Sequence, residues 1–405
     1  MKFFLLKQFI LAIFLFLIIL EIILDKNEFK KPFYSENKLT LTKAISSSFL
    51  KSPHHHSNNI SNLLNCNIKH NTVLIFEPAF YHHECTPGYT KYFLDLQYNV
   101  DIILENSGYN TFCLFNSLEN IRIFTFHELS QLSVYSKEFQ LIFKNYSYIL
   151  IETTEPFRNK TYKDLGLFKM NNTIFVVHHF EYINDTGISS FYNQNRIWSL
   201  GNLKNSLYVN PHYFGKIKIR NKNKKTKFFI TSTRERNYKD LILAAEKLKN
   251  ENLDFEIIVI GKEKTFSKKN LSKNLKNNFI FKYQVIFEDL YIAVYSSDYI
   301  IINLYPNYKN NNNFGKNRLT GASQLCLGFY KVPLIHKNFA EFYNMSTENS
   351  FLFDDSNFYE TMREAILSNG QKYKKKQKNL FKLSNNLYKI SLGNIIKTLN
   401  SILMQ

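Results

Sequence analysis

The stretch TSTRERNYKDLI carries Thr233, Arg236 and Lys239 across the junction between an expected strand and an expected helix. A guanidinium offers several N–H donors in a fixed fork and an ammonium offers a compact charge, so this set suits paired phosphate oxygens. A second stretch, NRLTGASQLCLGFYKVPLI, places Arg318, Thr320, Gly321, Ala322 and Ser323 where another helix should begin. Small residues let a backbone approach closely, and the free amides of a helix start favour an anion. A third, FEPAFYHHECTPG, puts Glu77, His82, His83 and Glu84 in the loop after a strand. A neutral imidazole or a carboxylate in such a loop can take a proton from a hydroxyl group, which makes His83 and Glu84 the candidate catalytic bases. His178, His179 and Glu181 in VVHHFEY raise the same question. Each set also has a plain structural reading: an Arg234–Glu235 surface pair, a Thr-capped helix, or histidines that hydrogen-bond locally.

Such residues act together only if the fold brings them to one place. TVLIF, NVDIIL, SYILIE and NTIFVVHH read as buried strands, and Tyr89–Leu96 and SVYSKEFQLIFKNY as helices between them. Nearly continuous apolar strands alternating with helices are what a parallel sheet covered on both faces requires. The pattern breaks between Asn210 and Lys227, where Pro211, Gly215 and a basic run from Lys216 read as an interdomain connector. A second alternation follows: KFFIT, FEIIVIG, DYIIINL and VPLIH as strands, with helices at Tyr238–Lys249, FEDLYIAVYSS and Thr320–Phe329. The expected fold class is α/β, with two Rossmann-like domains facing a cleft. The segments are an anchor and flanks at 1–31, a polar connector at 32–70, a first domain at 71–210, a basic linker at 211–226, a second domain at 227–359 and a basic helical segment at 360–405.

With 405 residues, 44% of them apolar and 21% charged, the chain can bury two cores of ordinary size. Its formal charge of +19 favours anionic partners. Nucleic acid is not expected among them, because the lysine runs lack interleaved aromatic residues and no recognition module is visible. Cys66, Cys85, Cys113 and Cys326 are widely spaced and form no CxxC pair, so neither a zinc site nor a disulfide framework is expected. The adjacent His82 and His83 lack ligand spacing, and His54–His56 lie in the polar connector; no metal site is expected. Phe9–Leu20 is uninterruptedly apolar and is extended by Phe3–Leu6 and Ile22–Leu24. That length predicts an N-terminal transmembrane or signal-anchor helix, with the lysines around it favouring a cytoplasmic body. The basic C-terminal segment can close over the first domain or lie against anionic lipid.

Arg236 and Lys239 in RERNYKDLILAAEKL, the glycine-ended strand FEIIVIG, EDLYIAVYSSDYII and TGASQLCLGFYKVPLI together resemble the donor domain of glycosyltransferases with the GT-B fold, the group 1 or family 4-like enzymes. The resemblance covers about residues 228–345 well and 72–205 loosely. It implies that the second domain holds a nucleotide-diphosphate sugar as donor substrate, with no tightly bound cofactor and no catalytic metal, and that the first domain holds the acceptor. Thr233, Arg236, Lys239, Arg318, Thr320, Gly321, Ala322 and Ser323 would then bind the donor. One feature departs from the group: counting back from Pro333 puts Cys326 where the second glutamate of Glu-x7-Glu is expected. The anchor adds a cell-envelope glycan or lipid-linked acceptor and a membrane location. Two other readings stay open: a sugar-phosphate or polyol-phosphate transferase or nucleotide-sugar epimerase, and a membrane-tethered, non-catalytic two-lobed binding protein.

Overall fold

The computed structural model describes residues 58–404 apart from 80–81, 106–114, 116–117, 179–187, 202–204, 233–235, 284, 309–310, 312–313 and 315–319. Eight strands form the first sheet: β1 (Asn58–Asn59), β2 (Thr72–Glu77), β3 (Asn99–Glu105), β4 (Ile121–Phe126), β5 (Tyr148–Ile151), β6 (Thr173–Val177), β7 (Ile197–Ser199) and β8 (Leu207–Tyr208). Their spatial order is β1-β4-β3-β2-β5-β6-β7-β8. The second sheet holds β9 (Thr226–Ser232), β10 (Phe255–Gly261), β11 (Phe279–Tyr283), β12 (Tyr299–Ile302), β13 (Val332–His336) and β14 (Phe351–Phe353), in the order β11-β10-β9-β12-β13-β14. All strand pairings among the described residues are parallel. The sequence dictates this: TVLIFE of β2 and YILI of β5 are buried at every position, which only a sheet covered on both faces allows.

Each sheet reverses its winding once, and that reversal positions the site. In the first, β2, β3 and β4 step outward on one side while β5 to β8 step outward on the other, so the reversal falls between β2 and β5. In the second it falls between β9 and β12. Crevices outside the carboxyl ends of the strands at such reversals are where open parallel sheets bind ligands.

The segment between the domains is packed rather than loose. Adding a Cβ to Gly88, in the Thr86–Asp95 helix, would bring it within 2.6 Å of Pro211. At Gly328, in the Gly321–Phe329 helix, a Cβ would meet Phe214 at 2.2 Å and the His212 carbonyl oxygen at 2.6 Å. Both helices therefore need glycine for the connector to pass between them. His212 is buried, bonded to Asn210 and to the Ser384 carbonyl at 3.1 Å, and burial lowers its pKa to about 4.

The Gly370–Leu403 helix returns from the second domain to the first. There Trp198 donates its indole N–H to Thr398 at 2.8 Å, the Asn210 amide donates to Ser391 at 3.0 Å, and Asn394 donates to the Tyr208 carbonyl at 2.8 Å. Leu380, Leu387, Ile395 and Leu399 are buried, within a hydrophobic cluster that runs through both domains.

Three expectations are corrected here. Among the described residues no helix is long and apolar enough to cross a membrane. The longest of them, Gly370–Leu403, buries Leu380, Leu387, Ile395 and Leu399 against protein and carries lysines along its length. The expected anchor, the membrane partnership and the membrane location are accordingly not carried forward; the apolar run Phe3–Leu24 and the His54–His56 run lie outside the described residues. Three strands also went unread: Asn58–Asn59, which pairs with β4 from within the expected polar connector, β4 itself, and Phe351–Phe353 at the edge of the second sheet.

Candidate functional site

On the second domain the site is built where β9 and β12 part. Arg236 follows β9 and is 4% exposed; its Nη2 lies 3.4 Å from the Thr320 hydroxyl, and its guanidinium carbon sits 5.5 Å from the Phe314 ring centroid. The next residue, Asn237, starts the Tyr238–Asn250 helix by accepting the Asp240 amide N–H at 3.3 Å. Its carbonyl accepts from the Asn303 side chain at 2.9 Å. Asn303, immediately after β12, therefore ties the two strand ends together, and its Oδ1 has no hydrogen-bond partner among the described residues. Lys239 lies in the first turn of the same helix and is exposed. Thr233 and Arg318 lie outside the described residues, as do His179 and Glu181.

Thr320 is the N-cap of the Gly321–Phe329 helix, and its side chain makes no capping bond. Both the amide and the hydroxyl of Ser323 donate to the Thr320 carbonyl, at 3.2 and 2.8 Å. Ser323 therefore secures the turn, and the amides left to meet an anion are those of Gly321 and Ala322. Gln324, one residue on, is 2% exposed, and its Oε1 has no hydrogen-bond partner among the described residues. Residue type alone hides such an acceptor, since glutamine is ordinary in a helix; its burial is what singles it out.

On the first domain the corresponding loop runs from Pro78 to Cys85 and enters the Thr86–Asp95 helix. Glu84 points across to the second domain: a Cβ on Gly321 would lie 3.8 Å from its Oε1. Burial pushes the Glu84 carboxyl up to about 7, opposed by a bond from its own backbone N–H. Its Oε2 has no hydrogen-bond partner among the described residues. His83 is 1% exposed, neither ring nitrogen has a partner among the described residues, and burial lowers its pKa to about 4. It is therefore a neutral imidazole held beneath the loop, and Glu84 is the member of the pair that reaches the other domain. His82 stacks on His178 at 3.8 Å, and His178 Nε2 bonds the Glu152 carbonyl at 3.0 Å.

Glu152, just after β5, escaped the sequence reading. It stands beside Glu77 at the end of β2, and both are fully buried. Burial first, and then the neighbouring carboxylate, hold the Glu77 carboxyl well above the usual range. Burial and Glu84 do the same for Glu152, against a hydrogen bond from Thr86. Among the described residues no group of three or more His, Cys, Asp or Glu side chains is placed to hold a metal ion.

The fold itself has relatives. A glycosyltransferase from Rickettsia africae superposes with a TM-score of 0.52 at 14% identity, covering 83% of this chain and 99% of that one. HepE from Anabaena, solved in complex with UDP and glucose, gives 0.51 at 13% identity, covering 82% and 100%. No protein-family model matches the chain, and no curated protein matches it. The chain therefore has a glycosyltransferase-like fold of two Rossmann-like domains, without assignment to the group 1 or family 4-like enzymes.

Proposed function

We propose that the protein is a glycosyltransferase that moves a sugar from a nucleotide-diphosphate donor to a hydroxyl of an acceptor glycan. One observation carries the reading: the Glu84 carboxyl faces Gly321, at the helix start that Thr320 and Arg236 flank. A base is thus set directly opposite an anion site. The donor diphosphate lies against Arg236, Thr320 and the Gly321 and Ala322 amides, with Lys239 at the rim; Thr233 and Arg318, outside the described residues, are proposed to contribute from the sequence alone. Asn303 Oδ1 and Gln324 Oε1 are acceptors suited to donor hydroxyls. Ionised Glu84 takes the proton of the acceptor hydroxyl as its oxygen bonds to the anomeric carbon. The bond from that carbon to the β-phosphate oxygen breaks, and the leaving diphosphate takes the electron pair. Its charge is met by donors already in place, which is where electrostatic catalysis gains most. This is an inverting displacement, and it accords with the absent Glu-x7-Glu. The cell-envelope and lipid-linked acceptors rested on the anchor and leave with it.

Calorimetric titration of the full chain with uridine, guanosine, adenosine, cytidine and thymidine diphosphates tests the reading. Micromolar binding of one of them, lost in Arg236→Ala, is expected. A folded protein that binds none sinks the donor assignment and favours the non-catalytic two-lobed reading.

A further inference from the structure

The buried carboxyl groups of Glu77 and Glu152 flank the reversal between β2 and β5. Phe76 and Ile151 are register partners, which puts the two glutamates side by side one residue further on. Neither is exposed to solvent, and no described cation forms an ion pair with either. Among the described residues three donors serve their four oxygens: the Ala79 amide and the Thr153 hydroxyl on Glu77, and the Thr86 hydroxyl on Glu152 Oε2, each at 2.6 Å. Glu152 Oε1 has no partner among the described residues. Among the described residues, the charged side chains that act on the pair from the neighbouring loop and turn are the carboxyls of Glu84 and Glu155. Glu84, Cys85 and Tyr89 face it from the loop and the following helix, Glu155 from the turn after β5, and His178 bonds the backbone of Glu152.

Two neighbouring carboxylates without a counter-ion do not both stay ionised in a buried site. Their donors, moreover, come from the two ends of one loop, Ala79 at its start and Thr86 at its close. We infer that Glu77 and Glu152 hold one proton between them and, as a pair, are positioning residues that pin both ends of the loop presenting Glu84. Glu84's role as the base rests on the function proposed above; the shared proton and the pinning do not.

Three measurements on the full chain, none needing nucleotide or sugar, test the inference. Infrared difference spectra at neutral pH should show a protonated-carboxyl band in the wild type that is lost in the Glu77→Gln/Glu152→Gln double variant. Thermal unfolding should give a wild-type Tm that falls with rising pH more steeply than that of Glu152→Gln. The sign follows because the folded pair retains a proton that the unfolded chain has released above the ordinary carboxylate range. Hydrogen exchange of the 82–86 amides should be roughly tenfold faster in Glu152→Ala, the scale of one lost bond to a charged group. Glu152→Gln, which still accepts from Thr86, should restore protection and keep it at alkaline pH, where the wild type loses it. An unchanged carboxyl band, equal Tm slopes, or equal loop exchange in Glu152→Ala would overturn the inference. Failure of nucleotide binding alone would leave it standing and remove only the function proposed for Glu84.

Discussion

The two winding reversals are equivalent in the fold and opposite in chemistry. At the first, between β2 and β5, the strand ends carry Glu77 and Glu152, with Glu84 on the loop above. At the second, between β9 and β12, they carry Arg236 and Asn303, with Thr320 and the Gly321 helix start beside them. The same backbone geometry thus presents carboxyl groups on one domain and a guanidinium, a hydroxyl and a helix start on the other. Parallel sheets supply the place; residue identity at the strand ends decides what is done there.

Removing the charge from the acidic side should have the largest effect. Glu84→Gln keeps the shape and deletes the base, so transfer should fall by about 10²–10⁴-fold, with nucleotide affinity preserved. In the wild type the rate should rise as pH rises through about 7, where Glu84 loses its proton, and this limb should vanish in the variant. Steady-state kinetics across pH checks both outcomes. On the basic side, Arg236→Ala should weaken nucleotide-diphosphate binding by about 2–3 kcal/mol, the scale of hydrogen bonds to a charged group, as read by calorimetry.

The joint that keeps the two sides facing offers the next test. Gly328→Ala forces a Cβ against Phe214 and the His212 carbonyl; the backbone atom cannot swing aside as a side chain can. A loss of about 1–3 kcal/mol in thermal or denaturant unfolding is expected, as for other overpacked sites. The smallest effect belongs to Lys239→Ala. Its exposed position predicts a loss under about 1 kcal/mol in nucleotide affinity, and one that salt should erase. A loss as large as that of Arg236→Ala would instead put Lys239 inside the site.

Much of the architecture was legible because burial on both faces writes itself as runs such as TVLIFE and FEIIVIG, and because Pro211 and the basic residues after it interrupt the pattern. The strand β4, IRIFTF, went unread because polar Arg122 and Thr125 break its apolar run. Arg122 is tied down by a bidentate bond to Asp101, both arms at 2.7 Å, a partner in the neighbouring strand that local pattern cannot show. The anchor was inferred from apolar length alone, a property that fixes what a segment avoids without fixing where it lies.

What the sequence determined by itself is the kind of chemistry available: a guanidinium, small residues at a helix start, and a loop of acids and imidazoles. Tertiary structure decided which of them meet. It sank His83 beneath its loop while turning Glu84 toward Gly321. It brought Asn303 to Asn237, and set Glu152 beside Glu77 across 75 positions of chain, read from their numbers. The physical reason is that side-chain type and spacing are local, whereas strand order, and with it the neighbours that desolvate or pair a charge, is set only when the sheet closes on its helices.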